Sequence, residues 1–325
     1  MRNKLTQLLA ILVFYLPLFS LHATPLAFIT NQGADSVSVI DLDSNTLIKT
    51  IKVGHRPAGI AVSNSTNRVY VSNPESKDVS VIDTKNGTLL KTIPVGDGPV
   101  GITVSPDGKD VFSADWYEHA VFVIDTNKLE IVGKIQVGHS PSGVAVTPDG
   151  KYLVVANRDD DNVMFVDLSR HSIVATIPVG KAPFGVTVSR DGSEVYVANV
   201  QSSDISVIDF KTKSVTCTAK VGLFPYSVIS DIDNKRLFVT NQKDSTVSVV
   251  DKQTCKETTT IPVGEYPESI DMRPDGKYMY VTDWFDDKLS IINTDTLEVD
   301  GEIKTGSGCR AFGKFIQADN PYLTK

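Results

Sequence analysis

The chain has 325 residues and a formal net charge of −7, from 39 acidic against 32 basic side chains, with 41% hydrophobic residues. This composition excludes an intrinsically disordered chain, and the acidic balance argues against a nucleic-acid partner, whose phosphates need a basic track. Three cysteines with no C-x-x-C spacing support neither a redox motif nor a structural zinc site.

Residues 1–23 read as a secretory signal peptide. Arg2 and Lys4 are the positive start, Leu5 to Leu21 an uncharged apolar stretch, and cleavage is expected after Ala23. An uncleaved anchor is the alternative. Either way the remainder is expected to be periplasmic or secreted. Losing Arg2 and Lys4 takes the charge from −7 to −9. No later apolar run is long enough to span a bilayer.

From residue 24 to 325 a single repeat domain is expected. Seven glycines, Gly54, Gly96, Gly138, Gly180, Gly222, Gly264 and Gly306, stand 42 residues apart. Asp41, Asp83, Asp125, Asp167, Asp209, Asp251 and Asn293 keep the same step, as do Asn31, Asn73, Asp115, Asn157, Asn199, Asn241 and Asp283. A period near 40 with Val- and Ile-rich runs predicts an all-β, seven-bladed β-propeller of four-stranded antiparallel blades. In the copy from Gly96, strands are predicted at Pro99–Val104, Val111–Ala114, Val121–Ile124 and Leu129–Val137. Pro25–Thr30 matches a second strand. The missing first strand is predicted at residues 309–316, pairing beside 26–30 and closing the ring against the N-terminal strands of 26–53. Cys217 and Cys255 fall on the outer strands of adjacent blades, where a bridge is one of two open readings. Cys309 is then the odd thiol.

The runs Val69–Asn73, Val195–Asn199 and Met279–Asp283, the Val-Gly-x-x-Pro-x-Gly stretches and the Pro-Asp-Gly-Lys turns resemble the YVTN-type β-propeller repeat family. That resemblance covers residues 25 to 316. It implies an exported propeller, and many such proteins have no assigned activity.

Whatever repeats belongs to the blades, so function is sought where the pattern breaks on one loop face. The loops leading into the inner strands, and those between second and third strands, share that face. They bring Arg56, Trp116, Tyr117, Arg158, Phe184, Phe224, Tyr226, Tyr266, Trp284, Phe285 and Arg310 forward as ligand-binding candidates. Trp116 and Trp284 occupy one repeat position, four periods apart. The competing reading of each Trp is a cap on a neighbouring blade. His55, His119 and His139 are the metal-ligand candidates, although none has a short ligand spacing. Asp159, Asp160 and Asp161 read as a solvated loop. No phosphate loop, nucleophile elbow or heme-attachment motif is present, so no catalytic residue and no cofactor is expected. The reading that follows is a non-catalytic binding propeller for a protein, peptide or cell-envelope ligand, monomeric, without nucleic acid. The alternatives are a metal-assisted lyase or hydrolase, a redox-subunit-like propeller, and single-stranded nucleic-acid binding on the tryptophans.

Overall fold

The computed structural model describes residues 24–318; the expected signal peptide, residues 1–23, lies outside the described residues. Seven antiparallel sheets form a seven-bladed propeller. The third blade runs Pro99–Val104, Asp110–Asp115, Ala120–Asp125 and Glu130–Gln136, close to the strands expected from sequence. Each blade buries two apolar faces against its neighbours. Phe112, Val121 and Val123 of the third blade, for example, join Val144, Leu153, Val155 and Val166 of the fourth in one core cluster. Among the described residues the one helical turn is a 3-10 turn at Arg158–Asp160.

The three periodic landmarks have a shared cause. The residue ending each second strand sits beneath the periodic glycine of the loop beside it. A Cβ on Gly138 would come within 2.6 Å of the Asn157 side chain, and the Gly138 N–H donates to Asn157 Oδ1 at 3.1 Å. The Gly306–Asn31 pair repeats this at 3.1 Å. The Asp of each "VID" run folds its own turn, as Asp125 does by accepting from Asn127 N and Lys128 N, both at 2.8 Å. Around the channel the inner strands approach so closely that a Cβ on Gly101 would lie 1.8 Å from Ser142 O.

The first blade combines Leu26–Asn31, Ser36–Asp41 and Thr46–Lys52 with Ile316–Gln317 from the far end of the chain. The expected clasp is therefore present, but not as one continuous strand over 309–316. Cys309 bridges Asn31, and Ile316–Gln317 pairs with Leu26–Ala27. Between them Phe312–Lys314 swings away and pairs in parallel with Gly59–Ser63, the inner strand of the second blade. Gly313, at φ +125°, permits that swerve. Asp271 of the seventh blade fixes its exit, accepting from Phe315 N at 3.0 Å and Ile316 N at 2.9 Å. The strap thus ties three blades together.

Cys217 and Cys255 form a disulfide with Cα atoms 5.9 Å apart, joining the fifth blade to the sixth across 38 positions. Loop-closure entropy gives such a bridge about 2–4 kcal/mol. The Cys217→Ser/Cys255→Ser double variant is expected to melt several degrees lower with an unchanged far-UV spectrum. An unchanged melting temperature would show that the outer strands are held without it. Cys309 is a buried free thiol whose pKa burial pushes up to about 12, so it is inert toward oxidants and metals.

Candidate functional site

Three of the candidates, Phe184, Tyr226 and Arg310, come together with Phe312 of the closing strap. Phe184 and Tyr226 stack at 4.2 Å, and Phe312 from the strap lies 4.9 Å from Phe184 and 5.7 Å from Tyr226. All three are buried. Beside them Arg310 ion-pairs with Glu268, whose carboxylate also accepts from Gln242 Nε2 at 3.1 Å. Arg310 Nη2 donates to Tyr226 Oη at 2.8 Å, and Trp284 covers the guanidinium at 5.0 Å. Burial raises the Glu268 pKa and the guanidinium opposes that rise. Burial also raises the Tyr226 phenol, which stays protonated. Phe184 and Tyr226 are therefore packed with Phe312 in one buried cluster, with Arg310 held beside them by Glu268 and Tyr226.

The rim above carries two separate groups. One is an aromatic cluster of Tyr266, Trp284 and Phe285, with centroids 4.7–5.7 Å apart and Phe285 58% exposed. Phe224 lies apart from it, under Lys243 Nζ at 3.9 Å. The other group spans the third and fourth blades. Trp116 rests 6.3 Å from Phe184, with the Arg158 guanidinium over its ring at 5.6 Å, and the adjacent Tyr117 is 70% exposed. Arg158 donates to Asp159 Oδ1 at 2.8 Å, and Ser140 Oγ donates to Asp159 Oδ2 at 2.5 Å. Ser140 N donates to His119 Nδ1 at 3.2 Å, and His119 meets His139 edge-on at 4.9 Å. His139 in turn has Nδ1 2.8 Å from Asp160 Oδ1, and its own N–H donates to Asp160 Oδ2 at 2.7 Å.

These contacts set the two imidazoles in opposite states. In its neutral form His139 donates from Nδ1 to Asp160, which leaves the lone pair on Nε2 of this largely exposed side chain. His119 accepts at Nδ1, so in its neutral form the proton sits on Nε2 and His119 is a donor. A carboxylate behind an imidazole is the arrangement that orients metal-ligating histidines. His55 is not part of this group. Its Nδ1 pairs with Asp35 Oδ2 of the first blade at 2.9 Å, which raises its pKa, and the neighbouring Arg56 reaches Glu75 at 3.4 Å. The three rim histidines thus do not converge, and among the described residues no three or more His, Cys, Asp or Glu form a metal cage.

Sequence reasoning named His119, His139, Trp116 and Arg158 but not what joins them. Asp159 and Asp160 read as solvent-facing loop; the signal was that Asp160 lies 21 positions, half a repeat, beyond His139. Glu268 could be placed by register, as the residue after Pro267, but its pairing with Arg310 and Gln242 gave no signal.

The family model for the cytochrome D1 heme domain matches residues 107–295. The chain belongs to that family. A YNCE-like β-propeller model matches residues 25–149. Among solved structures, the chain is similar to Kuenenia stuttgartiensis hydrazine synthase, at 25% identity and a TM-score of 0.75, over 82% of this chain and 92% of that one. It is also similar to a functionally unknown protein from Desulfotomaculum acetoxidans DSM 771, at 13% identity and 0.77, over 87% and 98%. Dihydro-heme d1 dehydrogenase NirN in complex with DHE matches at 16% and 0.67, over 92% and 76%. These last two likenesses speak to the fold alone. No curated protein matches the chain. The heme-domain family overturns the expectation of a non-catalytic propeller for a protein, peptide or envelope ligand and points to a heme-related one. Among the described residues no helix is long and apolar enough to cross a membrane.

Proposed function

We propose that this chain is an exported, heme-handling propeller that binds an iron tetrapyrrole on its loop face, with His139 as the axial ligand. The observation that carries the reading is the Asp160–His139 pair, which fixes the ring and leaves the lone pair on Nε2. The surrounding residues suit the rest of such a molecule. Trp116 and Tyr117 offer aromatic faces to a flat ring. Arg158 supplies a guanidinium for a propionate, held by Asp159 and by the Trp116 face. His119 Nε2–H stands 4.9 Å away, centroid to centroid, as a proton donor beside the ligating ring. If bound there, a heme would supply one-electron chemistry. The signal peptide read from residues 1–23 supports an extracytoplasmic location for this chemistry, and YVTN-type runs such as Val195–Asn199 support that repeat type for the blades.

Hemin titration followed by the Soret band, with heme d1 as a second arm, tests the reading. Saturable one-to-one binding with an imidazole-ligated spectrum is expected. His139→Ala should lose that spectrum, and Asp160→Asn should weaken binding about 10–100-fold. His119→Ala should keep the ligated spectrum. No binding in either arm, or a His139→Ala variant that matches the wild type, would reject His139 as the ligand.

A further inference from the structure

On the face away from the rim histidines, the central channel opens as a cavity of about 650 Å³, within the range of small-molecule sites. Its walls are the far ends of the inner strands, including Val104, Val146, Val188 and Ile229, and Phe312 of the buried cluster also lines it. No His or Cys lines it, so it offers no imidazole or thiolate to iron. Two cations do line it, Arg190 and Lys314, both exposed. Neither makes an ion pair or side-chain hydrogen bond among the described residues. Asp271 is the one carboxylate on the described wall, and its oxygens already accept from Met272 N, Phe315 N and Ile316 N at 2.9–3.0 Å. In a chain of net charge −7, a cavity lined by two cations and one carboxylate, Asp271, which Lys314 faces, is a local reversal. Lys314 arrives there because the strap leaves the expected closing strand at Phe312–Lys314 and crosses to the second blade.

We propose that this cavity is a second binding site, for a small molecule with an apolar body and an anionic head, such as a medium-chain carboxylate. The valines and isoleucines of the wall take the body, and Lys314 or Arg190 at the cavity's edge takes the head. The site is separate from the loop face and does not depend on the tetrapyrrole reading.

Displacement of 1-anilinonaphthalene-8-sulfonate by decanoate, with decanol as the uncharged control, reads this site in the full protein. Decanoate should displace the probe and decanol should be about tenfold weaker, the equivalent of one charge-assisted hydrogen bond. Lys314→Met and Arg190→Met should each weaken decanoate about tenfold, while keeping the apolar stem of the side chain. Thr103→Phe, on the wall, should abolish displacement, and Leu223→Ser, at an exposed apolar position on the loop face, should change nothing. Melting curves confirm that each variant is folded. Equal affinity for decanol, no displacement by decanoate, unchanged binding in both cation variants, or loss in Leu223→Ser would each overturn the assignment.

Discussion

A chain ending at Gly308 is expected to lose its cooperative melting transition and to elute as aggregate. The removed strap buries Phe312, Phe315 and Ile316. At about 1.5–3 kcal/mol each, those side chains alone amount to about 5–9 kcal/mol, comparable with the entire stability of a typical domain. The cut also frees the edge of Leu26–Asn31 and removes the Arg310 partner of buried Glu268. Gly313→Val isolates the swerve from the clasp. Its Cβ would sit 2.3 Å from Ile60 O at a φ of +125°, so the variant should retain the Cys309 and Ile316 pairings yet melt lower than the wild type. Unchanged melting of the truncated chain would mean that the ring does not depend on this strap.

Asp283→Asn is expected to stabilise the protein above about pH 4, by up to about 4 kcal/mol at pH 8. Five of the seven repeats already carry Asn at this position. Asp283 is fully buried, its Oδ1 has no partner, and Ser290 Oγ donates to Oδ2 at 2.6 Å. Burial pushes its pKa from 3.8 up to about 7. The folded state therefore holds this proton more tightly than the unfolded state. As pH rises from about 4 to about 7 the unfolded chain releases the proton and the folded chain does not. Stability then falls by about 1.4 kcal/mol per pH unit and levels off above about pH 7. Urea midpoints of both proteins between pH 4 and pH 8 measure this. The curves should meet at the acid end and diverge toward neutrality. Parallel curves, or a less stable Asn variant at pH 8, would show that Asp283 is ionised and satisfied in the fold.

The blades were legible because their determinants recur. Gly138 over Asn157, and Asp125 within its own turn, are contacts repeated seven times, so a single sequence carries seven samples of one rule. The disulfide was left open because its decisive quantity, a Cα separation of 5.9 Å, is not a property of spacing along the chain. The strap was legible as a closing strand but not in its path, which depends on the unusual backbone at Gly313 and on Asp271, a full blade away in space. The rim was hardest to read. Phe184, Tyr226 and Arg310 look like ligand contacts until the fold packs them together, and His139 gains meaning only through Asp160. Such contacts join loops of different blades that break the repeat, so no periodic signal reports them.

The hydrogen bond from Ala311 N to Thr30 Oγ1, at 2.7 Å, joins positions 281 apart. Apart from the strap's own pairings with the first and second blades, the blades pair strands that are near neighbours in sequence and pay little loop-closure entropy to form. Sealing the ring instead requires a search across nearly the whole chain. Until it is complete, the first and seventh blades each leave an apolar face open to other molecules. Exposure of those faces therefore depends on one short strap, and variants that slow its docking should lower the yield of refolded protein even where the finished ring is stable.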